Sequence, residues 1–422
     1  MGVVKTKKRA KKQIKTSPYY IKTAQITEHV VRTAVIILFI LLSTSIILYA
    51  RGYRVDVLNR KLSPTGILAI SSNPKAAKVF VNGEFKGVTD LNLSLTPGSY
   101  TIDIKKDGFI PFSKTLVLRG ELVEAIDPIL FPQNPSLSPL TNLGISKAVE
   151  IDSSNKVLVM SETGDPEKDG VYVFEASQTP INIFPPLKKL ALKSTLLQAG
   201  NLKDASIIFS DDMKQAIVSL PMNEWESVSY LLSLDQENQV PLNVTESRQT
   251  IISAWDKERV KEMTKLLETY PKEFRKIATD SMEMIKYSPD RTKVLYRAKK
   301  GVNLPIVITP PLIAANQTEE SRHLTEGAVY VYDRKEDKNY QIGNEQLDVD
   351  TVRWYTDSKH LVLNENHQFV MSLYDGTGKQ TLYSGPITPG FFTVTTSGQL
   401  LILANLNPQL NALPDIYEVG IR

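Results

Sequence analysis

The chain has no cysteine among its 422 residues, which excludes several kinds of site at once. Without thiols it can form no disulfide, iron–sulfur cluster, thiolate zinc site or cysteine nucleophile. Histidine is also scarce, and His29, His323, His360 and His367 do not have the spacing of metal ligands. The chain also lacks a Gly-x-Ser-x-Gly elbow and a Gly-rich phosphate loop ending in Lys-Ser/Thr. We therefore expect no cofactor, no metal and no enzymatic activity.

Acidic residues are almost missing from the first 29 residues, although the net charge of the whole chain is only +4. The basic residues of this segment are opposed by Glu28 alone, and they are Lys5, Lys7, Lys8, Arg9, Lys11, Lys12, Lys15 and Lys22. The remainder of the chain is close to neutral. This distribution does not predict nucleic-acid binding. Lysines beside a membrane span set its topology and contact anionic lipid.

A charge-free segment follows, from Thr33 to Ala50. Its eighteen residues form a helix of about 27 Å, close to the hydrocarbon thickness of a bilayer. We predict a transmembrane helix over 30–50, marked by Thr33, Ile37, Leu41, Ile46 and Ala50. The alternatives are a buried core helix and a cleaved signal peptide. The first normally shows a polar stripe, and the second needs a small-x-small site that is missing here.

The basic flank predicts the orientation of this span. Cytoplasmic loops carry an excess of lysine and arginine, so residues 1–29 are expected to form a cytoplasmic tail. Everything after the span is then extracytoplasmic, and the protein is a single-pass protein of the cell membrane with lipid as one partner. We predict linkers at 51–63 and 132–139, a small β domain at 64–131 and a repeat domain at 140–422.

The small domain reads as short strands and tight turns. Asn82-Gly83 is a hairpin signal because both central positions of a type I′ turn need positive φ. Leu91, Leu93 and Leu95 alternate with polar residues, as in a half-buried strand. The order of turns resembles a PEGA domain, and the matching residues are Pro74, Ala77, Asn82, Gly83, Pro97, Gly98, Tyr100 and Gly108.

This chain has Lys75-Ala76 where the name-giving Pro-Glu-Gly-Ala motif has Glu-Gly. The resemblance implies a small β-sandwich of the kind found in surface or envelope proteins. It also implies binding of carbohydrate or protein partners, and it transfers no catalytic residue.

A turn-then-strand phrase recurs in the repeat domain. Its clearest copy is Tyr287–Tyr296, with Ser288-Pro289-Asp290 at the turn. Further motif residues are Asp333, Trp354 and Asp357. A strand, a turn, a second strand and an aspartate-led turn are typical of a propeller blade. The phrases resemble TolB-type and WD-like propellers. Five blades are clear, and 185–201 is a candidate for a sixth.

Two insertions interrupt the repeats. Residues 254–280 have helical character, with Val260, Met263 and Leu267 as one apolar stripe and Pro271 as a break. This insertion either caps the propeller or docks a partner, and we favour capping. The second insertion, 301–327, is rich in proline and polar residues.

The fold class is therefore mainly β: a transmembrane helix, a small PEGA-like sandwich and an irregular propeller with a helical insertion. We expect an envelope binding or scaffold protein that recognises glycan, cell wall or protein. The alternatives are a propeller hydrolase or lyase, and an accessory subunit of a membrane complex. Acidic pairs such as Asp211-Asp212 and Glu319-Glu320 lie in predicted turns, where we expect them to be solvated rather than to do catalytic work, which needs a shared cleft. Trp225, Trp255 and Trp354 are the candidates for sugar stacking, although tryptophan is more often part of a core or an interface.

Overall fold

A computed structural model describes residues 2, 18–50, 53–56, 61–152, 154–176, 187–196, 200–312, 315–406, 408–409 and 412–421. Residues 1 and 3–17 of the predicted basic tail and residues 51, 52 and 57–60 of the predicted linker lie outside these residues. Strands make up 42 % and helices 17 % of the structure, which confirms the mainly β class. The chain divides into two compact units, and each is described by itself below. Unit 1 is Met1–Ala69, Asn92–Ser99 and Val117–Ala125, and unit 2 is the rest.

Unit 1 begins with one long helix, α1 (Pro18–Ala50). Its segment Val30–Ala50 is long and apolar enough to cross a membrane, and none of that segment is buried. The bounds agree with the predicted span of 30–50. A membrane anchor and a signal sequence both have this length and composition. A hairpin of β1 (Tyr53–Asp56) and β2 (Lys61–Pro64) follows.

Seven strands form the small domain as two separate sheets. They are β3 (Gly66–Ile70), β4 (Lys78–Val81), β5 (Glu84–Val88), β6 (Leu91–Leu95), β7 (Gly98–Lys105), β8 (Phe112–Leu118) and β9 (Val123–Ile126). One sheet has the order β6-β3-β9 and the other has the order β5-β4-β7-β8. In the four-stranded sheet, Val79, Val81, Ile102 and Ile104 are buried, whereas the alternate residues lie on the opposite face. This period of two makes one face of the sheet apolar.

The repeat domain contains five four-stranded antiparallel sheets, here called blades 1 to 5. It starts with β10 (Leu137–Pro139), inside the segment that we predicted as a linker. Blade 1 holds β11 (Ile145–Glu150), β12 (Lys156–Ser161), β13 (Gly170–Glu175) and β14 (Leu187–Leu192). Blade 2 holds β15 (Ser206–Phe209), β16 (Gln215–Pro221), β17 (Ser227–Ser233) and β18 (Leu242–Asn243). Two helices follow, α2 (Arg248–Leu267) and α3 (Lys272–Ser281).

The other three blades complete the domain. Blade 3 holds β19 (Met282–Tyr287) and β20 (Lys293–Ala298), then a small hairpin of β21 (Val302–Asn303) and β22 (His323–Leu324), then β23 (Val329–Asp333) and β24 (Lys338–Gly343). Blade 4 holds β25 (Val352–Trp354), β26 (His360–Glu365), β27 (Gln368–Leu373) and β28 (Gln380–Ser384). Blade 5 holds β29 (Phe392–Val394), β30 (Leu400–Ala404) and β31 (Asp415–Val419), completed by β10. Short 3₁₀ turns lie at Lys193–Thr195, Leu202–Asp204 and Val349–Thr351.

The first strand of this domain completes its last sheet. Leu137 pairs with Val419 and Pro139 with Tyr417, so the two ends of the domain are held in one antiparallel ladder. This ladder joins the beginning and the end of the repeat domain in one sheet. Residues 187–192, part of the candidate sixth blade, belong to blade 1 as its outer strand.

Apolar clusters show which blades pack together. Blades 1 and 2 share one cluster, blades 3 and 4 another, blades 4 and 5 a third, and blades 5 and 1 a fourth. Between blades 2 and 3 the two helices take this role. Ile252 of α2 packs on Ile217 of blade 2, and Phe274 of α3 packs with Tyr332 of blade 3.

The helical insertion therefore packs on blade 2 through α2 and on blade 3 through α3, as the capping hypothesis predicted. The prediction that Val260, Met263 and Leu267 form one buried stripe was only partly right. Leu267 is partly buried against the blade 3 cluster, but Val260 is 63 % exposed. The apolar contacts of α2 lie at its two ends, through Ile252 on blade 2 and Leu267 on blade 3, and Val260 belongs to neither cluster. Pro271 separates the helices as predicted, and Phe274 and Ala278 form the buried face of α3.

Candidate functional site

The four-stranded sheet of the small domain exposes aromatic and charged side chains on one face. Asn82 and Gly83 have φ values of +49° and +82°, which confirms the predicted type I′ turn. A two-residue turn fixes the register of its strands, so Phe80 pairs with Phe85 across β4 and β5. Asp103 of β7 lies opposite Phe80 on its other side. The turn thus sets two aromatic rings and a carboxylate in one row across the sheet.

The two rings meet edge to face, with their centroids 5.7 Å apart. The ammonium of Lys105 lies 5.1 Å from the Phe80 centroid, within range of a cation–π contact. Phe85 is 55 % exposed, although a phenylalanine usually buries its ring. On the next row of the sheet, the hydroxyls of Thr101 and Thr115 lie 3.0 Å apart.

We call Phe80, Phe85, Thr101, Asp103 and Lys105 the candidate binding face. It combines exposed aromatic carbon with a carboxylate, an ammonium and a hydroxyl on a flat surface. An aromatic ring can stack on the apolar face of a ligand while polar neighbours accept and donate hydrogen bonds. The set does not pair a nucleophile with a base.

A second arrangement joins the small domain to blade 4. Asp375 is buried in the turn between β27 and β28. It accepts hydrogen bonds from Asn316 Nδ2 at 2.8 Å and from Thr318 Oγ1 at 2.7 Å, both from the second insertion. Lys114 Nζ of β8 lies 3.7 Å from its Oδ2. Burial alone would raise the pKa of Asp375, but Lys114 and the hydrogen-bond donors hold that pKa below its usual value.

A third arrangement connects the innermost strands of three blades. Glu150 at the end of β11 lies 3.0 Å from Lys286 Nζ of β19 and 2.7 Å from Arg353 Nε of β25. Lys286 also lies 2.8 Å from Asp152. We call Glu150, Asp152, Lys286 and Arg353 the axial cluster. The two carboxylates and two cations balance in charge, so the cluster stabilises the blades and leaves no uncompensated charge for a ligand.

The predicted propeller residues occupy structural positions. Ser288 donates to Asp290 Oδ1 at 2.7 Å, and Asp290 N–H donates to Ser358 of blade 4 at 3.0 Å. Buried Asp333 pairs with Lys293 at 3.4 Å. Asp357 lies 2.6 Å from His360 Nδ1 in the corresponding turn of blade 4. Trp354 is buried and donates to the Lys286 carbonyl at 3.4 Å.

The predicted PEGA residues also lie at turns and strand ends. Pro74 follows β3, and Ala77 is fully buried, with its N–H donating to Thr89 Oγ1 at 3.0 Å. Pro97 and Gly98 turn the chain from β6 into β7, which contains Tyr100. Gly108 has a φ of +82°. The predicted membrane residues Thr33, Ile37, Leu41, Ile46 and Ala50 all lie in α1.

The candidate carboxylate pairs are not arranged as an acid and a base. Asp212 accepts from Ser210 at 2.7 Å, and Glu320 is paired with Arg322 and Lys338. Among the described residues, no group of three His, Asp or Glu side chains could hold a metal ion. Of the three tryptophans, only Trp225 stands clear of the protein, being 90 % exposed.

Sequence reasoning missed the candidate binding face, the Asp375 contacts and the axial cluster. The candidate binding face could have been found from the sequence, because the Asn82-Gly83 turn alone sets Phe80 opposite Phe85. The Asp375 contacts and the axial cluster join residues from different blades or loops, 57 to 261 positions apart, and no local pattern marks them.

Comparison with known proteins supports the resemblance to a PEGA domain. The family model for the PEGA domain matches residues 65–127. No curated protein matches the chain.

The solved structures that this chain is similar to share little of its sequence. TolB from Acinetobacter baumannii is 10 % identical with a TM-score of 0.23, and the match covers 76 % of this chain and 59 % of that one. A TolB candidate from Agrobacterium tumefaciens is 12 % identical with a TM-score of 0.20, and the match covers 60 % of this chain and 66 % of that one. A protein of unknown function from Bacteroides thetaiotaomicron VPI-5482 is 10 % identical with a TM-score of 0.25, and the match covers 82 % of this chain and 91 % of that one. The chain thus spans less than two thirds of either TolB chain.

Proposed function

We propose that this protein is a membrane-anchored binding protein of the cell envelope, and that its PEGA domain binds polysaccharide through the candidate binding face. The observation that carries the proposal is the exposed Phe85 ring beside Phe80, Asp103 and Lys105. The chain order supports the setting, since an apolar helix precedes the PEGA domain.

A sugar fits this face better than a folded partner does. Protein interfaces bury a large apolar centre and exclude charged residues from it. Here a small aromatic patch is crossed by Asp103 and bordered by Lys105, with the threonine hydroxyls nearby. A pyranose ring offers an apolar face for Phe85 and hydroxyls for the carboxylate and ammonium. Repeated units of a polysaccharide would compensate for the weak contact of each unit.

Binding is tested with the full-length chain in detergent, by co-sedimentation with insoluble cell-wall polysaccharide. Phe85→Ala removes the stacking ring and should lower binding about tenfold, whereas Phe85→Tyr should retain it. Val240→Ala is the matched control, because Val240 is 90 % exposed on blade 2, away from the PEGA domain. Equal binding by Phe85→Ala and the unchanged protein would reject the face as the sugar site.

The anchor and its orientation need a separate test, and the absence of cysteine provides one. Single cysteines at Thr6 and at Asn366 are placed on opposite sides of α1 in the sequence. With a cytoplasmic tail, a membrane-impermeant maleimide added to spheroplasts should label Asn366→Cys and spare Thr6→Cys. The reverse labelling would overturn the orientation, and loss of the tail from the mature protein would show that α1 is cleaved.

A further inference from the structure

Trp225 is the most exposed aromatic side chain of blade 2. It lies in the turn between β16 and β17, where 90 % of the residue is accessible, and Met222 of the same turn is 48 % exposed. Glu224 and Glu226 flank the indole and are also exposed. We call Met222–Glu226 the tryptophan knob. Trp225 and Met222 together leave two large apolar side chains of one turn in water, and an exposed apolar patch is a candidate interaction site.

The knob is held rigidly by its own hydrogen bonds. Asn223 Oδ1 accepts from the N–H groups of Trp225 and Glu226, both at 2.8 Å. Asn223 Nδ2 donates to Glu226 Oε2 at 3.1 Å, and Met222 N–H donates to the Glu226 carbonyl at 2.8 Å. The indole is therefore presented on a fixed turn, and docking it would order little additional chain. Tryptophan in such a setting is the residue type most enriched among binding hot spots.

The charges of the knob limit what can receive it. Two carboxylates beside the indole oppose insertion into an anionic lipid surface. The knob projects from the blade, so it fits a concave partner better than it would hold a small ligand. The complementary surface is a cleft with basic residues at its rim.

The chain itself contains a cleft of this description. A cavity of about 430 Å³ is lined by Thr269, Tyr270, Pro271, Arg334 and Lys335, which we call the basic cleft. The Arg334 guanidinium lies 5.4 Å from the Tyr270 ring centroid and donates to the Thr269 carbonyl at 2.9 Å. Lys335 is 66 % exposed, with Asp290 3.8 Å from its Nζ. The lining contains two cations and no carboxylate.

Knob and cleft lie at opposite ends of the blades. The knob joins the second strand of blade 2 to the third, whereas Arg334 and Lys335 join the third strand of blade 3 to the fourth. Successive turns of an antiparallel sheet alternate between its two ends. The contact of Lys335 with the Ser288–Thr292 turn places the cleft at the end where first and second strands are joined. One copy therefore cannot insert its knob into its own cleft.

We propose that the tryptophan knob of one copy of this chain docks in the basic cleft of a second copy. Because the two surfaces differ and lie at opposite ends, the contact is head to tail and can be repeated from copy to copy. On the membrane this would array the chains in rows. The inference is independent of the PEGA sugar site, which lies on a different sheet.

Photocrosslinking of the full-length membrane protein tests the contact. Trp225 is replaced by p-benzoylphenylalanine, which retains an aromatic ring, and a mixture of isotopically light and heavy copies is irradiated. The expected product is a mixed light–heavy dimer whose crosslinked peptide contains Pro271, Arg334 or Lys335. A crosslink to another part of the second copy, to lipid or to another protein would overturn the proposal, and so would the absence of a crosslink.

Charge reversal provides the second measurement, by sedimentation of the full-length protein in detergent. Glu224→Lys and Lys335→Glu should each weaken self-association about tenfold, and the double variant should restore it. Val260→Ala, at a residue 63 % exposed on α2, is the control and should leave association unchanged. Failure of the double variant to recover would reject the pairing of these two surfaces.

Discussion

Lys114 of the PEGA domain and Asp375 of blade 4 form an ion pair, with Nζ 3.7 Å from Oδ2, although 261 residues separate them. Only 1 % of the Asp375 side chain is exposed. Ile110, Ile129 and Phe131 support this contact by packing into the cluster shared by blades 4 and 5. The four-stranded PEGA sheet is thus fixed to the propeller by both a charge and an apolar seam.

Lys114→Met should loosen this attachment. Removing the cation leaves a buried carboxylate with neutral donors only, which raises its pKa and costs about 1–2 kcal/mol of stability. Hydrogen exchange of β8 and of the turn at Asp375 should become faster in the full-length protein. Lys359→Met is the matched control, because Lys359 lies 3.9 Å from Asp127 in a pair that is more than half exposed on both sides. Equal effects from the two variants would contradict a special role for Lys114.

Glu150→Gln should destabilise the propeller, since it leaves Lys286 and Arg353 facing a neutral side chain. Glu150 is 16 % exposed, so the expected loss in the free energy of unfolding is about 2–4 kcal/mol. Asp152→Asn should cost less than about 1 kcal/mol, because Asp152 is 51 % exposed. Denaturant melts of both variants compare these losses, and equal values would show that the cluster does not act through Glu150.

Phe274→Ala should cost about 3–5 kcal/mol, because the ring is fully buried and stacks on Tyr332 with centroids 4.0 Å apart. Val260→Ala should change stability by less than about 0.5 kcal/mol, because the middle of α2 faces water. Thermal unfolding of the two variants measures whether the insertion is part of the propeller. A stable Phe274→Ala protein would mean that the helices are an appendage.

The elements of the fold were predictable where the pattern was local. Alternating residues in β6, the Asn82-Gly83 turn and the charge-free span each encode their structure within about twenty residues. The same holds for the aspartate-led turns, in which Asp290 and Asp357 accept hydrogen bonds from residues close by in sequence. Local hydrogen bonding is why their sequence phrase recurs.

The unpredicted features depend on distant partners. Helical periodicity placed Val260 on an apolar stripe, but whether a stripe is buried depends on what lies opposite, and Val260 remains 63 % exposed. Leu137–Pro139 reads as a linker because its only pairing partner, β31, comes about 280 residues later. In the sequence Lys114 and Asp375 both look like ordinary surface residues, and their ion pair becomes visible only in the folded chain.

Gly83→Val should destabilise the PEGA hairpin by about 2 kcal/mol. The φ of +82° is strained for a β-branched residue, and no atom lies within 4 Å of the added Cβ, so the cost comes from the backbone alone. Gly83→Asn is the control, since asparagine tolerates positive φ. Hydrogen exchange of β4 and β5 measures the local stability. If both variants exchange as slowly as the unchanged protein, the turn does not stabilise the sheet.

Acid should weaken the turn of blade 3 through Asp290. Burial alone would raise its pKa, but hydrogen bonds from Ser288 and Thr292 outweigh burial and lower the pKa to about 2. The folded pKa lies below the ordinary value of 3.8, so the stabilisation is complete above about pH 4 and is lost as the pH falls towards 2. The stability difference between the unchanged protein and Asp290→Asn should therefore shrink over that window. Ser288→Ala removes one donor and should move the loss to higher pH, whereas a difference that stays constant from pH 5 to pH 2 would show that the carboxylate form is not favoured by folding.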